Sequence, residues 1–121
     1  MVSKTVLVVD DAMFMRKMLS DILSKTDYEV VAQASDGKEA LLKYKKFKPD
    51  VVTMDITMVP VNGIDGCQLI IDEDPDAKIL MVSAMGQETM VINAIKAGAK
   101  GFIVKPFDGP IVLNELKKLL K

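Results

Sequence analysis

Five residues spread over most of the chain have side chains suited to a single phosphoryl-transfer site: the adjacent Asp10 and Asp11, the lone Asp55, Ser83 and Lys105. A carboxylate can attack phosphorus, acids ligate a hard divalent cation through oxygen, and an ammonium or a hydroxyl can meet phosphoryl oxygens. Three converging carboxylates would repel one another, so their meeting requires such a cation and a lysine among them. Each of the five stands just after a short β-branched or aliphatic run: Thr5 to Val9, Val51 to Met54, Ile79 to Val82, and Phe102 to Val104. If these runs are parallel strands of one sheet, all five side chains emerge at the same edge. Taken singly, an Asp-Asp pair or a lone aspartate after a strand is more often a cap or turn than a chemical site; the specificity lies in the five together.

The elements that would position them follow from the apolar period, which switches repeatedly between strand and helix. Phe14, Met15, Met18, Leu19, Ile22 and Leu23 recur at helical spacing, predicting an amphipathic helix over residues 12 to 25. A second strand covers residues 29 to 33. Asp36 with Glu39 reads as a capping box opening a helix to Phe47, which Pro49 ends. A third strand covers residues 50 to 54, a helix follows to about Glu73, and a fourth strand covers residues 78 to 82. The next helix carries Val91, Ile92 and Ile95 on one face and stops at Gly98, ahead of a fifth strand at 102 to 104. Asp108 is the expected N-cap of a last helix reaching Leu120, with Pro110 in its first turn. Five strands alternating with five helices predict an α/β fold, a doubly wound parallel sheet with helices on both faces. Ligands of such sheets sit outside the carboxyl ends of the strands, where the five residues would lie.

Composition narrows the function. A chain of 121 residues, 50% of them hydrophobic, is read as one domain over residues 1 to 121 with a substantial core, which excludes a disordered linker. A net charge of -1, with lysines spread singly or in pairs, leaves no basic footprint for nucleic acid. One cysteine, Cys67, and no histidine exclude disulfide frameworks, imidazole or thiolate zinc sites and histidine-dependent triads, and suit a reducing cytoplasm. No run approaches the roughly 18 apolar residues of a membrane span. The first strand begins by about residue 5, so no signal peptide is expected. Cys67 reads as a packed apolar residue and Lys43, Lys45, Lys46 and Lys48 as a solvated helix end. The methionines read as core filling, with Met13, Met85 and Met90 as candidates for exposure near the site or on a partner face.

Val8-Val9-Asp10-Asp11, Met54-Asp55-Ile56, Ser83-Ala84-Met85, Ala97-Gly98-Ala99 and Lys105-Pro106-Phe107 fall in order at the spacing of a response-regulator receiver domain. The chain resembles that family from end to end, and most of all its single-domain chemotaxis members. The resemblance implies a flavodoxin-like sheet of order 2-1-3-4-5. It implies Asp55 as the phosphoacceptor, Mg²⁺ ligated by Asp11, Asp55 and the Thr57 backbone carbonyl with Asp10 acting directly or through water, and Lys105 as counter-charge to the phosphoryl group. Ser83 would bond the new phosphate and Phe102 would turn inward as the switch; tyrosine is common at the Phe102 position, so no phenol is available here. The Lys105-Pro106 bond is expected to be cis by the same resemblance.

Two departures concern the loop after Asp55. The family commonly carries proline four residues beyond the nucleophile, where this chain has Val59 and then Pro60. Gly63 and Gly66 fall near the start of the third helix, and an interior glycine costs about 1 kcal/mol relative to alanine, so that helix is expected to start late or to be locally mobile.

The implied function is a monomeric phosphoacceptor protein of chemotaxis. It would be served by a histidine kinase and a phosphatase, and would act on a motor switch or adaptor protein through helix four, strand five and helix five. Alternatives are a phosphorelay intermediate, a scaffolding pseudo-receiver, or an aspartate-nucleophile phosphatase. The last commonly needs a second acid where Thr57 stands, and a cap for which no residues remain. The acidic start of helix four and the lysine-rich composition with a single arginine tilt the source toward archaea.

Overall fold

The computed structural model describes residues 4–84 and 86–120. Five strands, β1 (Lys4–Val9), β2 (Tyr28–Ala34), β3 (Val51–Met54), β4 (Ile79–Ser83) and β5 (Gly101–Val104), alternate with five helices. These are α1 (Met13–Ser24), α2 (Gly37–Phe47), α3 (Gly63–Glu73), α4 (Glu88–Lys96) and α5 (Gly109–Leu119). The sheet is parallel throughout in the order β2-β1-β3-β4-β5. The strand order therefore reverses between β1 and β3, the place where such folds bind ligands.

Alternation along the strands builds two core layers. Leu7, Val9, Val52, Met54, Ile79 and Met81 pack with Ala40, Tyr44, Cys67, Ile70, Ala94 and Ala97 of α2, α3 and the end of α4. Val6, Val8, Val51, Leu80, Val82 and Ile103 pack with Leu19 and Leu23 of α1 and Val112 and Leu116 of α5. Both faces of the central strands are covered, which is why these strands read as unbroken apolar runs.

Local chemistry sets the helix boundaries, at Asp36 and Asp108 as expected and at Asn62 in addition. Asp36, Asn62 and Asp108 each accept the backbone N–H of the residue three positions on. The Asp36 cap differs from a full capping box in one respect: Glu39 Oε1 accepts from the N–H of Ser35 rather than of Asp36. Lys48, in the left-handed region with φ 45°, closes α2 before Pro49.

One expectation needs correction. The third helix does not start late: α3 begins at Gly63, directly after its Asn62 cap. Its glycines serve close packing, because a Cβ on Gly63 would overlap the carbonyl oxygen of Asp55 and one on Gly66 would lie 2.6 Å from the Cα of Gly37. The side of α4 that carries Ile92 and Ile95 faces away from the core. Ala94 and Ala97 make the core contact, whereas Ile92 and Ile95 are exposed.

Candidate functional site

The carboxyl edge of the sheet gathers the acids. The Asp10 N–H donates to Ala34 O of β2 and the Asp55 N–H to Val9 O of β1, each at 3.0 Å, which extends the ladder by one rung and places the two aspartates side by side. Asp10 is 2% and Asp55 7% exposed, while Asp11 faces solvent. Carboxylate oxygens of Asp10, Asp11 and Asp55 all lie within 4.8 Å of one another. Lys105, delivered from the end of β5, sets its Nζ 2.9 Å from Asp10 Oδ2 and 3.5 Å from Asp55 Oδ1. The Lys105-Pro106 peptide is cis, as expected, and the Val59-Pro60 peptide in the loop after Asp55 is also cis.

Hydrogen bonds aim these groups. Asp10 Oδ1 accepts the Ala12 N–H at 2.9 Å, and Asp55 Oδ1 accepts the Ile56 N–H at 2.9 Å. Burial pushes the Asp55 carboxyl above the ordinary carboxylate range; the Lys105 ammonium opposes that shift and the neighbouring Asp10 charge adds to it. Such a carboxylate gains from any further cation placed beside it.

Ser83 closes β4 and is buried, and its carbonyl accepts the Lys105 N–H at 2.8 Å, so serine and lysine are tied across β4 and β5. Phe102 is half-buried against the α2–α4 core layer. Thr57 follows β3 by three residues and borders a groove of ≈ 630 Å³ between α3 and α4, into which Met58, Met90 and Asn93 also project. Of the five residues singled out by type and spacing, the three aspartates and Lys105 meet through their side chains, and Ser83 stands at the same edge, joined to Lys105 through the backbone. Met85 lies outside the described residues.

The donor set is all oxygen, in a chain without histidine, and it fits a hard cation such as Mg²⁺ better than zinc. Three apolar residues in the segments that follow the aspartates are exposed: Met13 72%, Phe14 74% and Val59 80%. Two features escaped the sequence reading. Arg16 Nη1 donates to the Asp10 carbonyl at 2.7 Å and its Nε to Gln33 Oε1 at 3.1 Å. Asn62, with Asp65 three residues on, carried a legible N-cap signal. Arg16 left a fainter trace, a long side chain one turn into a helix whose Cβ atoms tilt back toward the preceding loop.

The profile of the response regulator receiver domain matches residues 6–117. The chemotaxis protein CheY of Thermotoga maritima is 59% identical over 118 residues, 98% of each chain. CheY of Bacillus subtilis is 55% identical over 115 residues, 95% of this chain and 96% of that one. Both organisms are bacteria, so the archaeal tilt read from lysine usage gains no support from them. A chain in the crystal structure of the CheX-CheY-BeF3-Mg²⁺ complex from Borrelia burgdorferi superposes with a TM-score of 0.94 at 38% identity, covering 98% of this chain and 90% of that chain. With the acid cluster and the sheet order already in place, the chain belongs to the response-regulator receiver domain family, among the CheY-like receivers of chemotaxis.

Proposed function

We propose that the chain is a single receiver domain working as a phosphorylation-operated messenger in the cytoplasm, with Asp55 as its phosphoacceptor. The observation that carries this reading is the meeting of three carboxylates within 4.8 Å with the Lys105 ammonium beside two of them. An Asp55 oxygen attacks the phosphorus of a phosphohistidine on the kinase; the P–N bond breaks, the imidazole takes up a proton, and an aspartyl phosphate remains. Mg²⁺ held by Asp11, Asp55 and the Thr57 carbonyl, with Asp10 direct or through water, would offset the repulsion between an anionic nucleophile and an anionic donor. Lys105 exchanges its carboxylate contact for a phosphoryl oxygen, and the Ser83 hydroxyl donates to another. In a loose phosphoryl-transfer transition state positioning and charge are the main requirements, so these few groups suffice.

The chain is no enzyme in the usual sense: it catalyses its own phosphoryl transfer and, through water attack on the aspartyl phosphate, its own resetting, which a phosphatase accelerates. Once Ser83 is drawn toward the phosphate, Phe102 turns into the vacated space and alters the face built from α4, β5 and α5. That face carries exposed Ile92, Ile95, Val104 and Ile111, an apolar surface suited to a motor switch or adaptor protein. Asp55→Asn should abolish acid-labile labelling by acetyl phosphate and Mg²⁺; full labelling of that variant would place the nucleophile elsewhere.

A further inference from the structure

Arg16 is the only arginine of the chain, and among the described residues it faces no carboxylate at ion-pair distance. Its guanidinium is used otherwise. Nη1 donates to the Asp10 carbonyl oxygen at 2.7 Å and Nε to Gln33 Oε1 at 3.1 Å, so one side chain on α1 bridges the β1–α1 turn and β2. The Asp10 carbonyl belongs to the peptide that joins Asp10 to Asp11. Fixing that oxygen fixes the plane from which the Asp11 backbone departs, and Asp11 is exposed, so its carboxylate is aimed chiefly by the backbone that carries it. A charge-assisted bond to a carbonyl is among the stronger hydrogen bonds, and the planar fork of arginine holds two acceptors at a set angle, which lysine cannot do.

Electrostatics alone predicts the opposite effect. A guanidinium near a divalent cation repels it, so a purely Coulombic role for Arg16 would weaken cation binding. We propose that Arg16 is a positioning residue of the cation site: by pinning the Asp10–Asp11 peptide it holds the Asp11 carboxylate toward the ion and strengthens Mg²⁺ binding despite its charge. The inference rests on the receiver reading of the three aspartates.

The sign of the change makes the test decisive. Mg²⁺ is titrated calorimetrically into the wild-type protein, Arg16→Met, Arg16→Lys, Gln33→Leu and Asp11→Asn, and thermal unfolding of each is recorded in EDTA. Loss of a group that orients metal ligands typically weakens affinity about 10- to 100-fold, so Arg16→Met should raise the Mg²⁺ Kd about tenfold or more. Arg16→Lys, which keeps the charge and loses the fork, should weaken binding at least as much. Gln33→Leu, which leaves Arg16 in place with one arm free, should weaken it less, with little change in unfolding temperature. Unchanged or tighter Mg²⁺ binding by Arg16→Met overturns the proposal. So does a set of variants that lose thermal stability while keeping the wild-type Kd, since Arg16 would then only staple α1 to the sheet. Absence of saturable Mg²⁺ binding by the wild type, or wild-type binding by Asp11→Asn, would instead bring down the receiver reading of the site and this inference with it.

Discussion

The β1–α1 and β3–α3 connections both deliver carboxylates to the same spot, and they are held by different balances of side-chain and backbone contact. The first is fastened by polar side chains: Asp10 Oδ1 on the Ala12 N–H, Arg16 on the Asp10 carbonyl, and Lys105 on Asp10 Oδ2. The second has its own side-chain bonds, Asp55 Oδ1 on the Ile56 N–H and Asn62 Oδ1 on the Asp65 N–H, but its closest fastening is backbone on backbone. The Gly63 N–H donates to Ile56 O and the Gly37 N–H to Val61 O, both at 2.8 Å, while the bare Cα of Gly66 rests against Gly37. A polar clamp can be weakened by degrees, since water or another donor replaces part of what is lost. Backbone contact without a Cβ leaves no room for an added atom, so it fails abruptly. The same loop carries the exposed Val59 and the cis Val59-Pro60 peptide, so a displaced proline coexists with a regular start to α3.

Breaking the second connection should give the largest effect. Gly63→Ala places a Cβ on the Asp55 carbonyl oxygen, an obstacle of backbone rather than of a yielding side chain. We expect a loss of about 3 kcal/mol or more in denaturant unfolding, at or above the usual range for overpacking, together with loss of Mg²⁺-dependent labelling. A loss below about 1 kcal/mol would show that α3 can slide away, and the contrast between the two connections would dissolve.

Breaking the polar fastening should cost less and should be reversible. Lys105→Ala leaves Asp10 and Asp55, whose side chains are only 3% and 9% exposed, facing each other without their ammonium. Removing one partner of a buried ion pair is strongly destabilising, so unfolding in EDTA should be easier by about 2 kcal/mol or more. Mg²⁺ should restore much of this, because it supplies the missing positive charge. Equal losses in EDTA and in Mg²⁺ would mean that the lysine contributes packing rather than charge.

The smallest effect probes how tightly the glycine-packed helix is seated. Cys67, next to Gly66, is fully buried, and burial pushes its thiol up to about 11. A folded value above the unfolded one means that the native state keeps its proton longer. The associated stability is therefore intact below the ordinary thiol range and is lost as pH rises toward 11. At pH 8 a disulfide reagent should label native Cys67 about a hundredfold or more slowly than the unfolded chain, since reaction waits for local opening. Gly66→Ala should hasten it; fast labelling of the unmutated protein would show that α3 is loosely held.

Much of this architecture was legible because its signals are local. β-branched runs, helical spacing of Met18, Leu19, Ile22 and Leu23, and caps at Asp36 and Asp108 are properties of a few neighbouring residues. The site was legible in outline because acids directly after strands must share an edge once the strands are parallel. Gly63 and Gly66 misled for a physical reason. Propensity prices a glycine by its conformational freedom in the unfolded chain, whereas these two are needed for the approach of α3 to Asp55 and to Gly37. For α4 the sequence was silent rather than misleading: periodicity shows that Val91, Ile92 and Ile95 share a side without saying whether anything covers it, and Ala94 does the packing.

The order of residue types along the chain determined the alternation of strands and helices, the edge at which Asp10, Asp11, Asp55, Ser83 and Lys105 emerge, and the all-oxygen character of the site. The tertiary structure decided which groups touch. It set Lys105 between Asp10 and Asp55, turned Arg16 onto the Asp10 carbonyl, and left Met13, Phe14 and Val59 uncovered. Periodicity acts over a few residues and is written in the sequence, whereas contacts between residues up to 95 positions apart arise only when the sheet closes and the core layers choose which faces to bury.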